Sequence, residues 1–387
     1  MKHALIVRTL AALGCLAGLA TIVTACTRQK TTTDPSAAPV SVNKSSGDAV
    51  SAAEEKGYLV VSRYLPSDGS EDVSDRLQQL IDENPNRTLF FPDGTYLIGK
   101  PILTPADPEK SVDLQLSNYA VIKAADSWNT SEAMIRLGAK EPKNDTHTPG
   151  SNYSLTGGIL DGSGVASGVS IDGGRETKVH NVSMKNVRIG LYIKHGANSG
   201  SSDADISDLN IIGTGHRDSV GILLEGYDNT LTNIRIGHVF TGVILRSAGN
   251  SLRNIHPLYY SDYTDYADSC GFYDQAGNNW FDFCYSDHFA IGFRMAEGCC
   301  SFYDNCFCMW YCGREGSHTV VRADGSFDSI MTNLRVGFFD AQTENIILTE
   351  GRSGGKGILE RVIVRTDLPL TGEAYRDYLT DDELFPG

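Results

Sequence analysis

Side chains that could act on a sugar concentrate in five short polar segments of the second half of the chain. The segments combine histidine, carboxylate and aromatic residues: TGHRDS (214–219), HVFT (238–241), YYSDYTDYADSC (259–270), YSDH (285–288) and MWYCGREGS (309–317). Cleavage of a glycosidic bond requires two carboxyl groups, one as acid and one as base or nucleophile. Aromatic rings beside carboxylates suit a sugar, because its C–H face packs on a ring while its hydroxyls form hydrogen bonds. The segments therefore indicate a carbohydrate site if the fold brings them together; the alternative is a set of ordinary solvated turns.

An approximate repeat would bring them together. From residue 150 onward, short apolar strands begin with a glycine and recur every 21 to 31 residues, at Gly168, Gly190, Gly221, Gly242, Gly271 and Gly292. From Gly221 onward, a second strand places an apolar residue ten positions after each glycine, at Leu231, Leu252, Phe281 and Phe302. Such a unit cannot bury its own apolar face, but copies stacked at about 4.8 Å share a continuous core. The repeat predicts a parallel β-helix, in which Asn229, Asn250 and Asn278 form a ladder of stacked amides at one turn.

The start of the folded region has a different pattern. Val73, Leu77, Leu80 and Ile81 recur at helical spacing, and Asn84-Pro85 ends the run. An open end of a β-helix exposes strand edges. The pattern therefore predicts a short α-helix that caps the first coil.

Three segments near the N-terminal end of the predicted β-helix resemble a known superfamily. They are SDGSEDVSDRLQQLID (67–82), TLFFPDGTYLI (88–98) and GGILDGSG (157–164), and they are similar to the first coils of pectin-lyase-like proteins. The resemblance extends over roughly residues 58–365 and implies an all-β fold, a right-handed parallel β-helix with a short N-terminal capping α-helix. It does not fix the reaction, because the superfamily includes hydrolases, lyases, epimerases and non-catalytic binders. The motifs of polygalacturonases are matched only in part, at Gly215-His216, so their catalytic residues are not transferred.

Differences in coil length predict where the inserted residues lie. The shortest coils have eleven residues between the second strand and the next glycine, as from Leu231 to Gly242. Three coils are longer at this point, with fifteen residues from Ile206 to Gly221, nineteen from Leu252 to Gly271 and sixteen from Phe302 to His318. The insertions are therefore expected at one corner of the β-helix, on the polar segments described above.

The predicted catalytic pair is Asp287 with Asp265 or Asp268, since the inserted loop would lie one coil from Asp287, about 4.8 Å away along the axis. Asp218 is a further candidate carboxylate, and His216 and His288 would orient the substrate or tune the carboxylates. The candidate substrate-binding residues are Tyr259, Tyr260, Tyr263, Arg294, Trp310 and Tyr311. The alternative for each aspartate is a structural role at its turn.

The predicted function is a polysaccharide-acting glycoside hydrolase that needs no cofactor. A calcium-dependent polysaccharide lyase is the first alternative, with an arginine as base and the acidic run 262–268 around the ion. A non-catalytic glycan-binding protein is the second. No metal site is predicted from the seven cysteines between Cys270 and Cys312, because their spacing is poor for zinc; buried thiols or disulfides are expected.

The formal net charge of −15 argues against nucleic acid as a partner. Residues 1–25 have the pattern of a signal peptide, and Val23-Thr24-Ala25-Cys26 resembles the bacterial lipoprotein box, so Cys26 is the predicted lipidation site. An ordinary signal peptide or a short membrane helix are the alternatives. The predicted organisation is a signal peptide (1–25), a tether (26–56), the β-helix domain (57–365) and a C-terminal tail (366–387). The protein is expected to be exported and to contact the membrane through its lipid alone; a homotrimer is left open.

Overall fold

The computed structural model describes residues 57–140, 153–195, 201–259, 267–310, 316–338, 343–350 and 355–366. Each complete coil of the chain contributes strands to three faces, and neighbouring coils pair in parallel. The architecture is therefore a parallel β-helix, as predicted. The predicted signal peptide, Cys26, the tether and the C-terminal tail lie outside the described residues, apart from the first position of the tail, Thr366, which ends the last strand.

Strands are numbered in chain order. Face 1 consists of β1 (Tyr58–Val60), β3 (Arg87–Phe91), β6 (Val112–Leu116), β9 (Ser154–Thr156), β12 (Lys178–His180), β15 (Asp205–Ser207), β22 (Trp280–Asp282), β25 (Phe302–Asp304), β28 (Ile330–Thr332) and β31 (Ile358–Glu360). Face 2 consists of β2 (Asp68–Asp72), β4 (Gly94–Ile98), β7 (Ala120–Ala124), β10 (Ile159–Asp161), β13 (Ser183–Val187), β16 (Asn210–Gly213), β23 (Tyr285–Asp287), β26 (Phe307–Trp310), β29 (Arg335–Phe338) and β32 (Ile363–Thr366). The long strands β18 (Thr230–Gly237) and β20 (Ser251–Leu258) each run through both faces.

Face 3 is a separate sheet of ten strands. It contains β5 (Ile102–Pro105), β8 (Ala133–Lys140), β11 (Ser167–Ile171), β14 (Ile189–Ile193), β17 (Val220–Leu224), β19 (Thr241–Leu245), β21 (Cys270–Asp274), β24 (Ile291–Met295), β27 (Gly316–Ala323) and β30 (Thr343–Glu350). Two short 3-10 helices, Val61–Arg63 and Pro108–Lys110, lie in the first coils.

The helix α1 (Ser74–Glu83) covers the open end of face 3, as predicted. Leu77 and Ile81 are buried on its inner side. The side-chain amide of Gln78 donates to the carbonyl of Leu103 at 2.9 Å and accepts from its N–H at 2.8 Å. Because β5 is the edge strand, this amide satisfies backbone groups that would otherwise lack a strand partner. Among the described residues, no helix has the length and apolar character needed to cross a membrane.

The repeated glycines are explained by close packing within face 3. A Cβ added at Gly221 would lie 2.5 Å from the carbonyl oxygen of Gly242, and one added at Gly242 would lie 2.4 Å from that of Gly271. Contacts this short are not tolerated by a side chain, so glycine allows successive coils to approach at these points. The glycine repeat therefore belongs to the scaffold.

Two predicted positions of the repeat are wrong by one residue. The interior ladder continues from Phe281 to Tyr303, which is buried, whereas Phe302 lies on the outside. The amide ladder continues from Asn250 to Asn279, whose side-chain oxygen accepts from the backbone N–H of Asn250 at 3.0 Å. Asn278 instead has a positive φ of 52° in the turn, and Asn279 lies eight residues after Gly271, as Asn250 does after Gly242. The turn from Met295 to Phe302 is one residue longer than the corresponding turn from Asp274 to Trp280, which brings Tyr303 into the interior ladder.

The described cysteines are free thiols. Cys270, Cys284, Cys299, Cys306 and Cys308 are buried, and Cys300 is exposed. Burial raises the pKa of Cys270 to about 12, so this thiol stays protonated and acts as a small apolar side chain. The sequence left buried thiols and disulfides as alternatives, and the structure shows free thiols, five of them buried. Cys312 lies outside the described residues.

Candidate functional site

The turns between face 2 and face 3 stack on one corner of the β-helix. The turns 214–219, 259–269 and 311–315 follow β16, β20 and β26, and the short turns 238–240 and 288–290 follow β18 and β23. The pairing of these face 2 strands in successive coils places the strand ends from which the five segments begin in one column. The insertion 214–219 lies on this corner, as predicted, whereas 311–315 and most of 259–269 lie outside the described residues.

A groove crosses this corner near the start of the column, and we call it the corner groove. Its walls come from two long turns, 125–132 and 214–219, and its floor from the turn 162–166 and from Arg188, which alone joins β13 to β14. Two adjoining parts, of about 420 and 500 Å³, share Gly164 and His216. The groove exists because the two coils between the walls turn the corner with fewer residues. Its lining residues include Lys123, Asp126, Asp161, Asn186, Thr214, His216, Asp218 and His238.

Asp161 lies on the floor at the end of β10. Its Oδ1 accepts hydrogen bonds from the backbone N–H of Ser163 at 3.0 Å and from the side-chain amide of Asn186 at 3.1 Å. The ammonium of Lys185 lies 3.6 Å from its Oδ2. These donors hold the carboxylate in one orientation at the lining of the groove.

Asp126, by contrast, is an exposed side chain on the first wall. It follows β7, whose Lys123 pairs in register with Asp161. Asp126 and Asp161 therefore come from neighbouring coils, which are spaced by about 4.8 Å along the axis, with Asp126 three residues beyond the position in register with Asp161.

The second wall carries two residues predicted from the sequence. His216 lines both parts of the groove, and Asp218 lines one of them. Asp218 forms an ion pair with Arg188, and the hydrogen bond from this guanidinium lowers the pKa of Asp218. His238, from the short turn between β18 and β19, lines the groove as well.

Asp287 lies in a different cluster on the same corner. It is buried, and its carboxylate contacts His288 Nδ1 through Oδ1 and His256 Nε2 through Oδ2, the latter at 3.3 Å. Arg235 Nη1 lies 2.7 Å from His256 Nδ1, and a guanidinium can only donate. His256 therefore accepts at Nδ1 and donates from Nε2 to Asp287, and its ring stacks on Tyr285 at 4.0 Å.

The two imidazoles set the charge of Asp287. Burial by itself would raise the pKa of Asp287, but the hydrogen bonds from His256 and His288 outweigh this effect and hold the pKa below its ordinary value. The group is thus an anion at neutral pH, suited to act as a base or nucleophile and unsuited to act as an acid.

We expect the stability contribution of Asp287 to depend on pH. A carboxyl whose pKa is depressed in the folded state stabilises the fold above its unfolded pKa, about 3.9, and this contribution is lost as pH falls through the folded pKa. The variant Asp287→Asn should therefore unfold more easily than the wild type at pH 7, by about 1–3 kcal/mol, and the difference should shrink below about pH 4. Urea unfolding of both proteins from pH 7 to pH 3 measures it; a difference that is constant or grows in acid would contradict this account.

The corner groove and the Asp287 cluster are too far apart to act on one bond. Asp161 and Asp287 occupy the same row of face 2, in β10 and β23, with β13, β16, β18 and β20 between them. Five steps between strands correspond to about 24 Å along the axis. The carboxyl groups of a glycosidase pair are at most about 9.5 Å apart.

The remaining predicted residues are dispersed. Asp268 forms an exposed ion pair with Arg217 at 2.8 Å, and this arginine also lies over the ring of Phe240. Asp265, Tyr260, Tyr263 and Tyr311 lie outside the described residues.

Three predicted substrate-binding residues need correction. Tyr259 and Trp310 are buried, and the indole of Trp310 donates to the carbonyl of Phe289 at 2.7 Å, so these rings pack in the interior. Arg294 lies on the outer side of face 3, where it pairs with Asp324 at 2.9 Å and lies over the ring of Tyr273. Strand alternation explains the difference for Trp310, because it follows the outward-facing Met309 in β26.

Several residues of the corner were missed from the sequence. Asp161 stands in the motif GGILDGSG, which indicates the fold alone. Asp126 precedes the repeat, and Asn186 lies within it, in a coil without an insertion after the second strand. His256 lies within a strand of the repeat, and only its pairing with Asp287 across coils shows its role.

Comparison with known proteins supports the fold. No family model and no curated protein match the chain. A Geobacillus virus E2 protein is similar in structure (TM-score 0.54, 13% identity), and the alignment covers 80% of this chain but only 62% of that one. An exopolygalacturonase of Thermotoga maritima has a TM-score of 0.58 at 14% identity, covering 79% of this chain and 86% of its own.

Two further structures extend the comparison. A mutant tailspike protein of E. coli bacteriophage HK620, in complex with a pentasaccharide, has a TM-score of 0.60 at 10% identity and covers 81% and 68% of the two chains. An alginate lyase of a Paenibacillus species has a TM-score of 0.50 at 13% identity and covers 73% and 96%. At these identities the likeness concerns the fold alone: the chain is a right-handed parallel β-helix.

Proposed function

We propose that the protein cleaves glycosidic bonds of a polysaccharide that lies in the corner groove. The observation that carries this proposal is a concave, polar surface in which carboxylates and imidazoles converge from a floor and two walls. Sugar hydroxyls need such hydrogen-bonding groups, and an open groove admits a polymer. The fold is similar to that of an exopolygalacturonase and to that of a tailspike bound to a pentasaccharide, which also supports a polysaccharide as the substrate.

Hydrolysis is the reaction that the lining favours. Asp161 is held by two hydrogen-bond donors beside an ammonium group, which suits a base or nucleophile. The acid must carry a proton, and the lowered pKa of Asp218 makes it a poor donor. We assign the acid to Asp126, and His216 and His238 to substrate contacts.

Asp287 remains the proposed catalytic group of an alternative centre on the same corner. Because its pKa is lowered, it would serve as base or nucleophile there, with His288 and His256 as positioning residues. Its acid would come from the inserted loop, as Asp265 or Asp268. Asp268 already pairs with Arg217 at 2.8 Å, which weakens that assignment.

A polysaccharide lyase is the second candidate reaction, and Lys123 is the observation that favours it. This lysine lines the groove with Asp126 and Asp161 and could act as the base that a lyase requires. The acidic run 262–268, which would hold calcium in this alternative, lies mostly outside the described residues.

A screen of soluble polysaccharides with product analysis tests the proposal. The full chain should shorten at least one polymer and release saturated products with new reducing ends. Products that absorb in the ultraviolet as unsaturated uronates would identify a lyase instead. Binding without turnover would overturn the enzymatic proposal in favour of a glycan-binding protein.

The variant Asp287→Asn, assayed in the same screen, separates the two centres. Turnover should persist in this variant if the reaction takes place in the corner groove. Its loss in a folded variant would move the reaction to the Asp287 cluster.

The proposed location is the bacterial cell surface, with a lipid on Cys26 as the only contact with the membrane and residues 26–56 as the tether. The mass of the N-terminal peptide from the membrane fraction tests this proposal. A homotrimer remains an open proposal for the oligomeric state, and sedimentation measures it.

A further inference from the structure

Face 1 carries an abrupt step from small to large side chains on its outer surface. Thr230, Ser251, Trp280 and Phe302 occupy one row of successive coils. The first two are short hydroxyl side chains, whereas Trp280 is 48% exposed and Phe302 is 40% exposed. Exposed apolar side chains that adjoin one another, in contrast to single exposed rings, often mark a binding surface.

The rings of Trp280 and Phe302 are nearly parallel. Trp280 and Phe302 stack with centroids 6.0 Å apart and planes inclined by 8°. Phe302 therefore covers one side of the indole. The opposite face of the indole is directed along the β-helix axis toward Ser251, one coil away at about 4.8 Å. The side chain of Ser251 is too short to cover this face.

Polar groups border this uncovered ring. The hydroxyls of Ser251 and Thr230 lie in the same row, and Arg253 and Asp282 occupy the neighbouring outward row. Their side chains are 70% and 47% exposed, and Arg253 Nε lies 3.4 Å from Asp282 Oδ2. An aromatic face, two hydroxyls and a pair of charged groups thus meet at one exposed position.

We propose that this position is a sugar-binding site of its own, which we call the Trp280 seat: Trp280, Ser251, Thr230, Arg253 and Asp282. A pyranose ring would place its C–H face on the indole, and its hydroxyls would contact the polar groups around it. The seat lies on face 1, away from the corner groove, so it does not rest on the proposed hydrolysis.

Charge favours a glycan over a second copy of the chain as the occupant. The outward row beside the rings continues with carboxylates at Asp282, Asp304 and Glu360. Two copies meeting on this surface would bring these carboxylates together, in a chain of net charge −15. A sugar carries no such penalty, because its hydroxyls can donate hydrogen bonds to carboxylates.

Tryptophan fluorescence gives a direct test. The chain has three tryptophans, of which Trp128 is 7% exposed and Trp310 is 1% exposed, so a soluble quencher such as acrylamide should reach mainly Trp280. The probes are soluble polymers of hexopyranose sugars, including galactomannan, a mixed-linkage β-glucan, dextran and polygalacturonate. We expect at least one of them to reduce quenching of the wild-type protein in a saturable way.

Affinity electrophoresis in gels that contain the protecting polymer then compares variants. Trp280→Ala should bind about tenfold more weakly, which corresponds to about 1.4 kcal/mol. Tyr119→Ala, which removes a ring that is 74% exposed elsewhere on the surface, should bind like the wild type. Turnover in the corner groove is measured separately. A loss of polymer binding at Trp280 therefore does not imply a loss of turnover, and a loss of turnover does not imply a loss of binding.

Three results would overturn the Trp280 seat. One is that no polymer of the panel protects Trp280, and another is that Trp280→Ala binds as tightly as the wild type. The third is protection that rises with protein concentration in the absence of polymer, since a second copy would then cover the ring.

Discussion

Replacing Asp161 by asparagine should lower turnover of the polysaccharide about 10²–10⁴-fold, the usual contribution of a catalytic acid or base. Asparagine has nearly the same shape and keeps an oxygen that can accept from Ser163 and Asn186. It lacks the negative charge and basicity that attack on a sugar requires. We therefore expect kcat to fall while the substrate affinity and the fold change little. Product release over time and circular dichroism measure these quantities.

Two further variants make the test of Asp161 specific. Asp208→Asn alters an exposed carboxylate away from the groove and should retain wild-type turnover. Asp126→Asn should slow cleavage of the natural linkage more than cleavage of an aryl glycoside, whose leaving group needs less help from an acid. Wild-type turnover in Asp161→Asn would exclude the corner groove as the reaction centre.

Replacing Asn250 by alanine should lower the free energy of unfolding by about 3–5 kcal/mol. Its side chain is fully buried and links three coils. The oxygen accepts from the backbone N–H of Asn229 at 3.2 Å and from its amide at 2.9 Å, and the Asn250 amide lies 3.2 Å from the oxygen of Asn279. Alanine leaves several buried polar groups without their partners.

The control for Asn250 is Asn254→Ala. Asn254 also takes part in an inter-coil ladder, because its amide donates to Asn233 at 2.9 Å, but this ladder lies at the surface. Its positive φ of 53° costs alanine about 1–2 kcal/mol, and water can replace the lost hydrogen bond. Urea unfolding should therefore separate the two variants clearly, and an equal loss in both would show that burial of the amide ladder is unimportant.

The fold could be predicted from the sequence because its information is local and repeated. A glycine is required wherever two coils approach within the reach of a Cβ, so Gly221, Gly242 and Gly271 recur at matching positions. Exact register was harder to predict. One added turn residue shifts Phe302 out of the interior ladder, and of the adjacent residues Asn278 and Asn279 the second joins the amide ladder. A strand places every second side chain inside, so an error of one residue reverses burial.

The site was harder to predict, because it depends on differences between coils. The wall 214–219 was found as an insertion, but the wall 125–132 precedes the region where the repeat can be measured. With only one of the two walls found, the groove predicted at this corner is centred on Asp287 and the inserted loop, and Asp161 has a purely structural interpretation. Trp310 and Tyr259 were assigned to the surface because composition shows which residues gather at a corner and does not show which way each side chain points.

The link between β13 and β14 has a consequence for how this surface could diversify. Arg188 alone turns the corner there, and the groove is open because no further residues fill it. The number of residues between β13 and β14 therefore controls the access of a ligand to the corner groove, while the residues of the two walls control which ligand is recognised. A few residues inserted after Val187 would close the groove without disturbing the buried ladders, so gain or loss of a ligand can come from a change in length that leaves every lining residue in place.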